Sequence, residues 1–457
     1  MKTGGPAAGD DASLAAPNRT LIVDDRGTSW SERKLTETIA AAAERVERAF
    51  APEHRAVAVV SDNSVAALLW TLAVRRAGRI EVPIDARLPR AVIGRRIADC
   101  GAASIDPRGS SVRFDETHAN DRWVDAEPEA ILWTGGTTDA AGDDTGGRGV
   151  LVRRGATSTN ARAKLAAVPQ TADDVRLTVL PITHAFARTC DLETWWIGGG
   201  SLALSLGRRA AEKMMPSVRP TLMSVTPSLA RDWIREPPSG LDRLRILGVG
   251  GAALDTDTFD AWTRRGVTVI QGYGMTETGP TVASATPDNA VAGCVGHCVD
   301  GVEFKVVDGE LHVRGPSLLA GYLDATRTPF DADGFFRTGD LVELSEAGLR
   351  ILGRKDDRLT LANGVTFDPV AIENELRTAF PDLSFVWVDA DRHGSFVVWI
   401  AAGSAAHGSR IEDRVRRCRP ELGRPRVRVL DPPPDPKTEL TLKGTPRRNR
   451  LRCRVGR

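Results

Sequence analysis

The segment VTVIQGYGMTETG (267–279) runs from an apolar strand into a turn, and its reading decides the fold. Glycines on both sides of Tyr273 let an aromatic ring be presented at a strand end, and Thr276 with Glu277 supplies a hydroxyl and a carboxylate suited to a phosphate-bound Mg²⁺. Just upstream, GVGGAAL (248–254) fits G-x-G-x-x-A through Gly248, Gly250 and Ala253. A nicotinamide site would need an acidic residue at the end of the next strand, but VTVI ends in Gln271. What survives is a backbone that a ligand can approach closely.

Working outward, strands alternate with helices on either side of this segment. AVAVV (56–60), a helical stretch at Val65–Arg76, IEVPI (80–84), a helical stretch at Ala91–Asp99 and ILW (131–133) form one run; VRLTVLPI (175–182), TLMSVT (221–226), RILGVG (245–250), a helix near Asp255–Arg265 and VTVI form another. This order predicts α/β architecture with parallel-type sheets covered by helices. Ser31–Phe50 is read as an amphipathic helix with Ser29 and Glu32 as its capping box. From about residue 300, VEFKVVDGELHVRG, GLRILGRKDDRLTL and SFVVWIAAG change the texture to short strands and glycine turns. A chain of 457 residues exceeds what one core organises, so two domains are expected.

Composition excludes several classes. The run Ser64–Ala77 is broken by Arg75 and Arg76, so no membrane span is expected; MKTGGPAAGDDASLAAPN lacks the apolar core of a signal peptide. Six scattered cysteines point to a reducing, cytoplasmic setting, and Cys294, His297 and Cys298 lack a second ligand pair at zinc spacing. Net charge is only +1, yet residues 410–457 hold 16 Lys or Arg against six Asp or Glu. Without interleaved aromatics this tail does not suggest nucleic acid; a phosphorylated small molecule, an acidic protein or plain solvation fits it.

Three further motifs carry chemistry. In RTGDL (337–341) Asp340 can accept both hydroxyls of a ribose; in GRKDD (353–357) Arg354 can reach ribose or phosphate oxygens; in TLKG (441–444) Lys443 offers a point charge for a phosphoryl group in transfer. With GYGMTET and P-x-x-I-E (Pro369–Glu373), their order resembles the adenylate-forming superfamily of acyl-CoA synthetases, aryl- and acyl-acid ligases, luciferases and peptide-synthetase adenylation domains. The resemblance spans nearly the whole chain.

It implies ATP-dependent activation of a carboxylic acid as acyl-AMP with loss of pyrophosphate, then transfer to a thiol, with ATP, Mg²⁺ and coenzyme A or phosphopantetheine as cofactors. By motif match Thr276 contacts the α-phosphate, Glu277 holds Mg²⁺, and Gly272, Tyr273 and Gly274 border the adenine opposite Gly250, Gly251 and Ala252. Asp340 binds ribose with Arg354 in support, and Lys443 stabilises the pentavalent phosphorus. LPITHAFART (180–189) resembles the L-P-x-x-H segment of acyl-CoA synthetases and puts His184 at the mouth of the acyl pocket. LANGVTFDPVAIE (361–373) and ELTLKGTPRR (439–448) lean the same way, although Thr360 stands where many members carry lysine. The implied layout is a large N-terminal domain, 1–355, with a β-rich end, and a small, mobile α+β C-terminal domain, 356–457, hinged at Asp356.

Phe186 falls, by a gap-free count, where amino-acid-activating relatives place an aspartate; a buried ammonium without that partner is disfavoured, which leaves an aryl or fatty acid. The stretch ILWTGGTTDAAGDDTGGRGVLV (131–152) resembles the family's phosphate loop in Thr134, Gly136, Thr137 and Thr138, departs at Asp139, and puts Arg148 at the lysine position after six inserted residues. At roughly 8 Å each inserted carboxylate would repel a phosphate charge by about 2 kcal/mol at an effective dielectric near 20, so residues 139–146 are expected to project into solvent. Alternatives to the thiol are an acyl carrier protein, a nitrogen nucleophile, or a non-catalytic nucleotide or acyl binder.

Overall fold

The structure is a computed structural model and describes residues 20–24, 26–107, 113–115, 126–134, 147–324, 330–391, 393–435, 439–440, 446 and 448–455. Residues Gly136, Thr137, Thr138, the inserted stretch 139–146 and Lys443 lie outside these.

Two large sheets dominate the region before residue 300. One has nine strands in the order His297–Cys298, Thr281–Ser284, Thr268–Gly274, Ile246–Val249, Leu222–Val225, Val175–Thr178, Ser201–Leu204, Thr20–Val23 and Ser29–Ser31, and its central members run parallel. The other has seven, with Ile80–Asp85 and Ala56–Ser61 at its centre. Ala56–Ser61 is buried along its whole length, as a parallel strand covered on both faces requires. Behind the nine-stranded sheet, Leu177, Met223, Leu247 and Val269 pack against Trp233, Phe259 and Trp262 of two covering helices. The opposite face of the same strands looks into the site.

A buried ionic cluster anchors the seven-stranded sheet: Glu81 lies on its central strand and accepts from Arg188 at 2.6 Å and from Arg75 at 2.7 Å. Arg75 comes from the preceding helix and Arg188 from the π-helical turn Arg188–Glu193 more than a hundred residues on, so the cluster fixes where that turn sits on the seven-stranded sheet rather than adding much stability. A carboxamide does similar work, since Asn63 donates to the Leu180 carbonyl at 2.8 Å and accepts from the Ile182 amide at 2.9 Å.

Sequence expectations are modified at three places. The helix of the first segment runs Glu32–Ala49, capped by Ser31 rather than by Ser29 and Glu32, because Ser29–Ser31 pairs as an edge strand with Thr20–Val23. The strand read at 175–182 stops at Thr178, ahead of Pro181, whose missing N–H cannot extend a ladder. VTVI continues as strand through Gly274, so Tyr273 sits within the ladder, opposite Ala283.

Beyond residue 300 a four-stranded antiparallel sheet forms from Glu303–Val307, Glu310–Arg314, Phe336–Ser345 and Gly348–Arg354. Its first hairpin turns at Asp308 and Gly309, both at positive φ, the geometry that D-G favours. After an exposed turn at Lys355–Asp357, a three-stranded sheet and the helices Pro369–Ala379 and Gly408–Cys418 enclose a separate core that includes Ile372, Leu376, Val388, Val398 and Ile411. Much of the basic tail is paired internally here. Arg448 donates to the buried Glu373 at 2.7 Å, Arg452 to Asp389 at 2.9 Å and Arg424 to Glu412 at 2.7 Å. Among the described residues no helix is long and apolar enough to cross a membrane.

Candidate active site

A cleft of about 3370 Å³ opens at the C-terminal ends of the parallel strands and reaches the C-terminal region through Arg448 and Arg452. Ligands collect at such strand ends in open α/β sheets. One wall is the turn after Thr268–Gly274. A Cβ on Gly274 would stand 1.6 Å from the Pro280 carbonyl oxygen, so only glycine lets the strand fold back there. The turn closes through the Thr278 hydroxyl, which accepts from the Met275 amide at 3.0 Å. Thr276 lines the cleft, and Glu277 is held nearly buried as its carbonyl accepts from the Leu319 amide at 2.9 Å.

Opposite, Asp340 and Arg354 are direct partners on adjacent antiparallel strands. Their side chains approach to 3.4 Å, and Tyr273 donates its hydroxyl to Asp340 at 2.5 Å. Burial pushes the Asp340 carboxyl above the ordinary range, against the pull of Arg354. Burial, reinforced by the facing carboxylate, likewise holds the Tyr273 phenol well above its usual value, so it stays a donor. Gly339 at φ +74 permits the bend; a Cβ there would reach 2.9 Å from the Arg354 guanidinium. Three residues predicted from separate motifs thus form one cluster.

Thr134 and Arg148, at the two edges of the described backbone here, are stitched together: the Thr134 amide donates to the Arg148 carbonyl at 3.0 Å, and the Arg148 amide to the Thr134 hydroxyl at 2.9 Å. The Arg148 guanidinium lies 4.3 Å from the centre of the Tyr322 ring, and the Tyr322 hydroxyl donates to Glu277 at 3.1 Å. No sequence motif marks Tyr322. It joins the loop base to the acidic turn, and the available signal was scarcity, for the chain has only two tyrosines and both are here.

His184 lines the cleft at the start of a short helix, its Nε2 3.9 Å from Asp85. Asp85 resists the upward push of burial because Arg87 grips it, with Nε 2.9 Å from Oδ1, and its carboxyl falls below the usual range. Phe186 packs on the glycine wall: a Cβ added to Gly250 would lie 3.0 Å from its ring. Gly251, Ala252 and Gly272 line the same region. Trp195 is core and Trp196 is 41% exposed, and neither lines the cleft. Asp356 occupies the exposed turn between the four-stranded sheet and the C-terminal core.

A resident Mg²⁺ suits this donor set only as an open site. Glu277 accepts from Tyr322 through Oε1 alone among the described residues, and no group of three or more His, Cys, Asp or Glu among them forms a closed cage. One carboxylate completed by substrate phosphates and water is how Mg²⁺ is commonly held.

Parallel strands ending in a glycine-walled cleft, with a tyrosine–aspartate–arginine cluster facing a carboxylate turn, define a nucleotide-dependent α/β enzyme. The AMP-binding enzyme family matches residues 10–105 and 106–323, and the chain belongs to that family. It is 28% identical over 446 residues to "Indoleacetate--CoA ligase" of Aromatoleum aromaticum, covering 84% of each chain. It is 30% identical over 282 residues to "4-coumarate--CoA ligase-like 9" of Arabidopsis thaliana, covering 55% of this chain and about half, 49%, of that relative's length. The crystal structure of ATP-bound MatB from Rhodopseudomonas palustris superposes with a TM-score of 0.80 at 23% identity, covering 97% of both chains, a likeness of fold. An AMP-forming ligase joining a carboxylic acid to a thiol, the class expected from the motifs, agrees with these matches.

Proposed function

We propose that this chain activates a small carboxylic acid with ATP, releasing pyrophosphate, and passes the acyl group from the acyl-adenylate to the thiol of coenzyme A. The observation that carries this reading is the convergence of Tyr273, Asp340 and Arg354 on one cleft with Thr276 and Glu277. CoA-ligase names among the relatives support the thiol acceptor.

In the first step a carboxylate oxygen bonds to the α-phosphorus while the bond to the bridging oxygen of pyrophosphate breaks. Asp340 and Arg354 hold the ribose, and the Tyr273 ring with the Gly250–Ala252 wall flanks the base. Thr276 orients the α-phosphate, and the backbone and hydroxyl of Thr134 with the Arg148 guanidinium position the outer phosphates. Gly136, Thr137 and Thr138 are assigned to the same loop by motif. Glu277 would hold Mg²⁺, which when bound neutralises phosphate charge. Lys443 is the cation assigned to the pentavalent phosphorus. In the second step the thiol sulfur attacks the acyl carbon, AMP leaves, and the thiol proton passes to solvent. His184 stands at the acyl mouth. Residues 356–457 turn about Asp356 between the steps, a hinge set by one exposed turn.

Preformed enzyme–adenylate offered coenzyme A, a phosphopantetheinylated carrier protein and hydroxylamine in separate reactions tests the acceptor. Thioester formation with coenzyme A outpacing the others is expected; faster transfer to the carrier would replace that acceptor. Asp356→Pro should spare pyrophosphate exchange and block thioester formation, and equal loss of both would remove the hinge.

A further inference from the structure

Away from the cleft, the four-stranded sheet ends on one side at Glu303–Val307, and among the described residues no strand pairs with its outer edge. Direct partners on adjacent antiparallel strands share a face, so Phe304 opposite Val313 and Val306 opposite Leu311 belong to the side that faces the core. Val313 and Leu311 are fully buried there, whereas Phe304 is 42% exposed and Val306 38%. The core stops one strand short, and two apolar side chains overhang it. The other side of the strand carries Glu303 and Lys305, which pair within the chain with Arg314 at 2.5 Å and with Asp333 at 2.7 Å.

The turn decides which backbone groups face outward. Asp308 and Gly309 both have positive φ, the two-residue type I′ geometry, whose flanking residues Val307 and Glu310 form a hydrogen-bonded pair. Hydrogen-bonded and non-hydrogen-bonded pairs alternate, so Glu303, Lys305 and Val307 direct their N–H and C=O groups at the neighbouring strand. Those of Phe304 and Val306 point out from the edge.

Three antiparallel self-pairings bring outward groups together, and they differ in what they oppose. Centred on Lys305, the strand sets ammonium against ammonium; centred on Val306, it sets Phe304 against Asp308 of the second copy. Centred on Phe304, it sets Phe304 against Phe304, Val302 against Val306 and Glu303 against Lys305. Of the three, that register alone has apolar pairs on one face and opposite charges on the other, and both stabilise cross-strand neighbours.

We propose that Glu303–Val307 pairs with the same strand of a second copy of this chain, about a two-fold axis through Phe304, joining two four-stranded sheets into one of eight strands. A lysine in an edge strand ordinarily discourages such pairing; here it faces a glutamate and selects the register. The two-fold contact covers both edges and leaves neither for a third copy. A contact made by so short a strand is small, so the dimer is weak and exchanges with monomer.

Sedimentation velocity of the full chain over about 1–500 µM tests this, the upper concentrations being those a small interface requires. The sedimentation coefficient should rise with concentration toward that of a dimer. Phe304→Asp, which sets two carboxylates across the axis, should stay monomeric with an unchanged melting temperature; Val306→Pro, which removes an outward N–H, serves if that variant does not fold. Glu303→Lys and Lys305→Glu each set like charges across the axis and should weaken association roughly 10-fold alone. An equimolar mixture of those two restores opposite charges in the mixed dimer and should regain most of it. A monomer throughout the range, or a dimer that persists in Phe304→Asp, overturns the proposal. A mixture no more associated than its components overturns the register and the contact built on it.

Discussion

The two ends of the cleft are built in different ways. At the nucleotide end the working groups come from short stretches, 272–278 and 337–354, each positioned by one tight turn at a strand end. On the acyl side of the cleft Lys164, Arg176, Asp191, Ser224 and Ser284 come from a helix, a π-helical turn and three strands. Turn chemistry constrains residue type at fixed spacing, so the first end reads as motifs; packing of distant faces leaves no spacing to read.

The largest effect should fall at the nucleotide end. Glu277→Gln keeps an acceptor for Tyr322 but removes the charge, and acid-dependent exchange should drop by roughly 10²- to 10³-fold with little change in melting temperature. Asp340→Ala should raise KM for ATP roughly 10- to 100-fold in steady-state kinetics, while KM for the acid stays within a few-fold. A matching rise in KM for the acid would break the separation of the two ends. Gly250→Ala, whose methyl would press on the Phe186 ring, should shift KM for the acid several-fold, more than KM for ATP. Tyr322→Phe, which frees Glu277 but leaves the ring under Arg148, should cost only a few-fold in exchange.

Asp174 provides a control outside both ends. Burial would raise its carboxyl, but Arg245, at 2.9 Å, and Thr221 hold it down at about 2. A depressed carboxyl contributes stability that is present above its unfolded value near 4 and is lost as pH falls through about 2. Acid unfolding followed by fluorescence should therefore steepen between those limits, and Asp174→Asn should flatten that segment without altering exchange at neutral pH.

Alternation of apolar strands with helices made the two parallel sheets legible, and short strands with glycine turns marked the β-rich end. The Ser31 cap was not legible, because pairing of Ser29–Ser31 with a distant strand overrides the local capping pattern. Within the site, Asp340, Arg354 and Tyr273 were named from separate motifs, and the structure supplies their contact. Tyr322 belongs to no local motif because its partner, Glu277, lies some tens of residues away. Roles assigned to Gly136, Thr137, Thr138 and Lys443 rest on motif alone, and removal of 139–144 should leave KM for ATP within a few-fold.

The central claim is that this cleft forms an acyl-adenylate. Its most direct measure is incorporation of labelled pyrophosphate into ATP, with and without added carboxylic acid, in the wild-type chain and in Glu277→Gln. The account predicts incorporation that requires an acid and collapses in the variant. Incorporation independent of acid, or ATP bound and cleaved to ADP without exchange, would contradict it.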